Sequence, residues 1–154
     1  MSKRVSTAGM KLCYAVEASA GTMPSSGWTN LPEVKSFPSL NSTPNSIDVT
    51  PLSETEYEQS VPGLKSLGTL DYGFNYTDDA YTAIETMMNA YEGLSEGKSM
   101  WFCEYHPSLE KAVAFKGIPS GFMWDDMSVG SPVNGTLHIN NESAPKFIDK
   151  PTIS

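Results

Sequence analysis

Thr69-Leu70-Asp71-Tyr72-Gly73-Phe74-Asn75-Tyr76-Thr77, followed at once by Asp78-Asp79-Ala80-Tyr81-Thr82-Ala83-Ile84-Glu85-Thr86-Met87-Met88-Asn89-Ala90-Tyr91-Glu92-Gly93, changes its hydrophobic period in mid-course. In the first part Leu70, Tyr72, Phe74 and Tyr76 alternate with Thr69, Asp71, Gly73, Asn75 and Thr77, the pattern of a strand with one core face and one wet face. In the second part Ala80, Ile84, Met87, Met88 and Tyr91 form an apolar stripe at helical spacing, opposite Thr82, Glu85, Thr86, Asn89 and Glu92. Thr77 or Asp78 caps this helix, Asp78 and Asp79 suit the positive end of its dipole, and Gly93 stops it. A strand that feeds directly into a lone amphipathic helix sets the frame for the rest.

On the C-terminal side, Ser99 to Tyr105 is apolar on both faces, as in a strand covered twice. His106-Pro107 ends it, and the short Ser108-Leu109-Glu110 connection leads into Ala112 to Lys116 as a hairpin. From Ile118 to Val129 no period is clear, with Phe122, Met123 and Trp124 beside Asp125 and Asp126. After Gly130-Ser131-Pro132, the residues Thr136, His138 and Asn140 alternate with Leu137 and Ile139 in a last strand. Pro145 and Pro151 mark residues 141–154 as an extended C-terminal tail. On the N-terminal side, Met10 to Glu17 reads as a strand with Leu12, Tyr14 and Val16 on one face. Residues 1–9 read as a flexible arm, or as a strap laid on a partner, and Gly21 to Pro32 as a loop anchored by Trp28. The expected fold is mainly β: one domain over residues 1–154, an antiparallel β-sandwich or curled sheet with one flanking α-helix at about 78–92.

Between these elements, residues 43–68 form a long acidic loop. Pro44, Pro51 and Pro62 argue against a helix or a central strand through it. Ile47 to Thr50 reads as a short strand leading in. Ser53 to Gln59 alternates strictly, so an extended backbone would set Glu54, Glu56 and Glu58 against Thr55 and Tyr57. A loop of this length in a compact domain is usually functional or disordered, and here it reads as an arm that reaches a neighbour.

The formal net charge is -8 over 154 residues. Residues 36–64 supply half of it through Asp48, Glu54, Glu56 and Glu58, with no Lys or Arg. Tight nucleic-acid binding draws on clustered cations, and Arg4 is the only arginine. A like-charged wall that keeps DNA from sticking remains compatible with this balance. No apolar run approaches a membrane span, and Met1-Ser2-Lys3-Arg4 leads into no hydrophobic signal region. Cys13 and Cys103 lie in strand-like stretches and read as buried free thiols of a reducing compartment. His106 and His138 share no metal-ligand spacing with Cys or carboxylates. No phosphate-cradling glycine loop or nucleophile elbow is present. Asp78-Asp79 and Asp125-Asp126 read as a helix start and a loop turn rather than acid–base pairs. No enzyme activity and no cofactor are expected.

Several stretches taken together resemble the major tail protein, or tail tube protein, of long-tailed non-contractile phages. They are Ser6 to Leu12 with Tyr14 and Glu17; Thr50 to Tyr57; Val61 to Lys65; Met100-Trp101-Phe102 with His106-Pro107; and Ala114 to Gly117. The resemblance spans most of the chain in the family's order. It implies a non-enzymatic β-sandwich with a flanking helix and a long loop, assembled into hexameric rings that stack into a tube for genome delivery. The partners it implies are further copies of the chain, tape-measure, tail-terminator and baseplate or tail-tip proteins, and DNA in transit. It implies a place in the virion after synthesis in the host cytoplasm, with no membrane. The arm then becomes an inter-ring or inter-subunit contact through Thr50, Leu52, Glu54, Glu56, Tyr57, Glu58, Pro62, Gly63 and Leu64. Asp71, Asn75, Thr136, His138 and Asn140, the wet faces of two strands, become lumen candidates. Many family members carry a further immunoglobulin-like domain, which a chain of this length is not expected to hold. Two other readings compete: a monomeric binding module presenting Trp28, Trp124 and Tyr57, and the tube subunit of a contractile injection machine.

Overall fold

A computed structural model describes residues 4, 6, 8–40, 46–48, 53, 60–62, 68–151 and 153. The elements are β1 (Lys11–Val16), β2 (Thr29–Leu31), β3 (Val34–Ser36), β4 (Ser46–Asp48), β5 (Ser60–Pro62), β6 (Thr69–Asn75), α1 (Asp78–Glu92), β7 (Met100–Tyr105), β8 (Lys111–Trp124), β9 (Asn134–Asn141) and β10 (Lys146–Asp149). Eight strands make one antiparallel sheet in the order β2-β1-β7-β8-β9-β6-β3, with β10 also on β8. The path ends on strands that are neighbours in the chain. β2 passes to β3 through Pro32 and Glu33, where Glu33 takes a left-handed φ of 66° and its carbonyl accepts from the Asn75 N–H at 2.9 Å. The sheet is therefore drawn round on itself.

β8 is the strand that makes this possible. Its residues Val113–Gly117 pair with β7, while Gly117–Trp124 pair with β9. On the β9 edge, β10 continues the ladder opposite Lys111–Ala114. Between the two, Glu142 N–H donates to the Lys116 carbonyl (2.9 Å) and Ser143 Oγ accepts from Lys116 N–H (2.8 Å). The strand changes partner at Gly117. A Cβ there would lie 2.6 Å from Ile139 Cγ2 and 3.2 Å from Phe102 Cδ2, so side chains from both flanking strands occupy the space it vacates. Curling the sheet brings those neighbours together, and only glycine leaves room for them.

The concave side holds the main core: Leu12, Tyr14, Leu31, Leu70, Tyr72, Phe74, Met100, Phe102, Phe115, Leu137 and Ile139. α1 closes it with Ala80, Ile84 and Met87 buried and Met88 and Tyr91 packed alongside. Thr77 is the cap, its Oγ1 accepting from Ala80 N–H at 3.1 Å, with Asp78 and Asp79 in the first turn. The reverse face of β1, β7 and β8 carries a second cluster of Cys13, Ala15, Trp28, Trp101, Cys103, Tyr105, Ala112 and Ala114, covered in part by Met23 and Ile148. Both cysteines are buried and free and stand opposite each other in the β1–β7 register. Glu17, also buried, accepts from Trp101 Nε1 (2.8 Å), Ser99 N–H (2.9 Å) and Gly21 N–H (3.1 Å). Although burial opposes its charge, these donors and Lys116 hold its carboxyl below the ordinary range.

Four expectations change. Residues 21–32 are not loop throughout, because β2 lies at their end, and β3 follows directly. The strand expected at 112–116 runs on to Trp124; Gly117, Pro119 and Gly121 hide its alternation, and the register shifts between Pro119 and Gly121. The tail at 141–154 begins within β9 and contains β10, and Ile153 forms a parallel bridge to Trp28. Within the arm, β4 pairs with β5 as a separate two-stranded sheet, Ile47 opposite Val61, so its base is a hairpin.

Gly117→Ala is expected to destabilise the fold by about 1–3 kcal/mol, the cost of overpacking a filled site. Urea unfolding of the two proteins measures it; equal midpoints would show that the strand's change of partner does not depend on the missing side chain.

Candidate assembly surfaces

The wet faces of β6 and β9 meet. Thr69 stands opposite Asn140, Asp71 opposite His138, Gly73 opposite Thr136 and Asn75 opposite Asn134. Alternation puts all of these on the side away from Leu70, Tyr72, Phe74, Leu137 and Ile139. The five lumen candidates Asp71, Asn75, Thr136, His138 and Asn140 thus share one surface. Their side chains are joined in cross-strand pairs: Thr69 Oγ1 donates to Asn140 Oδ1 (2.8 Å), and His138 Nδ1 meets Asp71 Oδ1 (2.6 Å). Thr136 Oγ1 donates to Asp125 Oδ1 (2.5 Å), Asn75 Nδ2 to Glu33 Oε2 (3.5 Å), and Ser120 Oγ to the His138 carbonyl (3.1 Å). Ser120 and Glu33 were not singled out from the sequence, and Asp125 was read only as part of a loop turn. Ser120 and Asp125 sit on a stretch whose alternation is broken, and Glu33 on a corner without periodicity. The result is a polar face with Asp71, Asp125 and Glu33 among its groups. Among the described residues no cluster of three or more His, Cys, Asp or Glu side chains suits a metal ion.

Of the arm residues, Pro62 ends β5. Thr50, Leu52, Glu54, Glu56, Tyr57, Glu58, Gly63 and Leu64 lie outside the described residues.

A third surface is aromatic. Where β8 ends beside the start of α1, Tyr76, Tyr81, Phe122, Met123 and Trp124 line a groove of about 200 Å³. Tyr76 stacks on Phe122 at 6.0 Å between centroids and meets Trp124 edge-on at 5.5 Å. Met123 is 71% and Trp124 54% exposed. Trp28, by contrast, is 2% exposed in the second core cluster, so it is not a ligand-facing aromatic. It anchors the segment before β2, as its apolar bulk favours. The segment ahead of β1 is also tied down at one point. His106 Nδ1 accepts from Ser108 N–H (3.0 Å), which leaves Nε2 protonated to donate to the Ala8 carbonyl (2.8 Å). Gly9, with φ of 97°, passes so close that a Cβ would lie 3.1 Å from Nε2. Residues 8 and 9, expected to be flexible, are therefore latched to the β7–β8 turn.

No protein-family model matches this sequence, and no characterised protein matches it by sequence. Solved structures do. A chain of the anti-feeding prophage (AFP) baseplate, determined with six-fold symmetrisation, superposes with a TM-score of 0.63 at 10% identity, covering 97% of this chain and 98% of that one. A chain of the extracellular contractile injection system PVC sheath–tube complex in the extended state gives 0.60 at 9% identity, over 91% and 89%. The SPP1 tail tube gives 0.58 at 10% identity, over 97% and 81%. This chain shares their fold.

The tail-tube-like fold encloses one ionisable group that packing alone does not explain. Glu104 of β7 points into the main core, 8% exposed, and accepts a hydrogen bond from the Tyr72 hydroxyl at 2.7 Å. Burial pushes its carboxyl up to about 7, the Tyr72 bond opposing this in part. Burial and the facing carboxylate push the Tyr72 phenol up as well. A carboxyl raised above its unfolded value stabilises the fold fully below about pH 4.3, and that contribution is lost as pH rises to about 7. Glu104→Gln keeps an acceptor for Tyr72 and removes the titration. It is expected to match wild type near pH 4 and to exceed it at pH 8 by roughly 3–4 kcal/mol. Parallel stability curves for the two proteins between those pH values would show that Glu104 titrates as an exposed carboxyl does.

Proposed function

We propose that this chain is a structural tail tube subunit of a non-contractile, long-tailed phage, forming hexameric rings that stack into the conduit for the genome. The observation that carries this reading is the likeness of fold along nearly the whole chain to the SPP1 tail tube, joined to a polar sheet face that the fold leaves open. A wall of this kind, with carboxylates at Asp71 and Asp125 and hydroxyl and amide groups between them, offers DNA little to adhere to.

Ring closure needs complementary edges, and two are present. Among the described residues no strand pairs with the second edge of Ile118–Trp124 once β7 has ended at Met100, opposite Gly117. Nor does a strand pair with Thr69–Tyr72 on the side away from β9, since β3 meets only Gly73 and Phe74. Pro119 fits such a position, because proline within a sheet belongs at an edge or a bulge. Pairing one copy's β8 edge with the next copy's β6 edge is a heterologous contact, which closes into a ring. It would also remove both edges from water. The arm then bridges rings, since its hairpin base stands apart from the main sheet. The partners in this reading are further copies, the tape-measure, tail-terminator and tail-tip proteins, and DNA in passage; the location is the virion. The likeness to a sheath–tube complex favours one alternative, a tube that slides inside a sheath, and a sheath gene beside this one would decide for it.

Negative-stain microscopy and light scattering of the concentrated protein test the proposal. Rings or tubes with a central hole are the expected result; a protein that stays monomeric with or without tail-tip proteins would overturn it. Deleting residues 53–60 is expected to leave the melting temperature within a few degrees and abolish tubes, because these residues supply no strand of the main sheet; tubes from this variant would remove the arm from the stacking contact. Asp71→Lys in the phage is expected to leave tails assembled and impair delivery, and normal infectivity would count against a lumen position.

A further inference from the structure

The chain holds two cysteines, and the fold sets them on one rung. Cys13 of β1 and Cys103 of β7, 90 residues apart, are Cα partners. The kind of rung follows from the ladder. Glu17 N–H donates to the Ser99 carbonyl at 3.1 Å, which makes Glu17–Ser99 a hydrogen-bonded pair, and such pairs recur at every second residue. Counting back through Ala15–Trp101 puts Cys13–Cys103 in the same class, with Cα atoms ~5.5 Å apart. That separation lies inside the range a disulfide spans. Cys13 Sγ donates to the Cys103 carbonyl at 3.5 Å, and the Cys103 thiol is within hydrogen-bonding reach of it. Packing alone does not call for sulfur here, since Ala15, Ala112 and Ala114 fill the same cluster with small side chains.

Neither thiol is reactive as it stands. Both are wholly buried, and the neighbouring Cys103 thiol together with burial pushes the Cys13 thiol up, away from the thiolate. Their cover is Trp28 and Met23, from the connection between β1 and β2, and Ile148 of β10. That connection holds no helix or strand and is tied near its start by Gly21 N–H on Glu17 (3.1 Å). Irregular segments open at lower cost than strands, so lifting this one exposes the sulfurs while the ladder holds.

We propose that Cys13 and Cys103 are a latent disulfide, closed by a small-molecule disulfide when the β1–β2 connection lifts. The thiolate of one cysteine attacks the oxidant's S–S bond, forming a mixed disulfide and expelling a small thiolate, which takes up the proton the cysteine gave up. The second cysteine attacks the protein sulfur of that mixed disulfide, and its proton leaves on the second small thiol. One S–S bond passes from oxidant to protein, with two electrons going the other way. Cross-strand Cβ atoms stand ~5 Å apart against ~4 Å in a relaxed disulfide, so the bond is strained and readily reduced again. The exchange lies within one subunit and stands apart from the tube reading; on that reading, the bond closes after the particle leaves the reducing cytoplasm.

The full-length protein, purified reduced, is incubated with oxidised glutathione, then denatured, alkylated and analysed by mass spectrometry. Loss of both alkylation sites without a glutathione adduct, a linked peptide pair holding Cys13 and Cys103, and a melting temperature raised by roughly 5–10 °C are expected, all reversed by dithiothreitol. Cys13→Ser and Cys103→Ser proteins are expected to show no such rise under the same oxidant. Thiols that stay free in the folded protein, glutathione adducts at both cysteines, a bridge joining two subunits, or a bridged protein that melts no higher than the reduced one would overturn the proposal. So would a closure rate that follows global unfolding in urea, since the bond would then form only in the unfolded chain.

Discussion

The whole sheet hangs on one close approach, that of Ile139 and Phe102 over the missing side chain of Gly117. β8 is long enough to serve two halves of the structure only because it can exchange β7 for β9 without a break. At the exchange point the flanking strands converge. A side chain there would strain the closure of the halves carrying Leu12 and Phe102 on one side and Tyr72 and Leu137 on the other over their common core. The Tyr72–Glu104 hydrogen bond, made between strands from the two halves, forms as a consequence of that closure.

Buried charge is handled in two opposite ways on the two faces of the same strands. Glu17, on the second cluster, collects three N–H donors and keeps its charge. Glu104, in the main core, has a single hydroxyl donor, and its proton is retained instead. The difference follows from backbone supply. Glu17 sits just beyond the end of β1, where the N–H groups of Gly21 and Ser99 are free of the ladder, whereas Glu104 lies within β7, where neighbouring N–H groups are engaged in pairing.

How far this was legible in the sequence depended on whether a segment faced one environment or two. β6 and α1 were plain because each has a single buried face, so Leu70, Tyr72 and Phe74, and Ala80, Ile84 and Met87, fall at regular spacing. β7 was legible for the contrary reason, being apolar on both faces apart from Glu104 and covered twice. β8 was read for only a third of its length, because Gly117, Pro119 and Gly121 answer to the curl and the edge rather than to burial. β2 and β3, three residues each, are too short to show a period. The polar face was legible residue by residue in β6 and β9, but its third contributor, the end of β8 and the residue after it, was not, so Ser120 was missed and Asp125 was read only as a turn. The groove could not be foreseen, since Tyr76 and Trp124 are brought together by the course of β8 alone. His106 had a signal only in its company: a histidine at a strand end, before proline, opposite a glycine that must pass close.

The same distinction explains why solved structures at 9–10% identity share this fold while no protein-family model matches the sequence. What the curled sheet demands is a pattern: alternation in β6 and β9, a doubly apolar β7, and an amphipathic helix to close the open end. Cores tolerate wide substitution when volume and pattern are kept. Alternation specifies a face and no residue type, so it leaves little for sequence comparison to detect. The positions that do demand a particular residue, such as Gly117 beneath Ile139 and Gly9 beneath His106, are few and far apart in the chain. A fold held by pattern in this way leaves its outer residues unconstrained by packing, and those are the residues that edges and arm would use to recognise further copies.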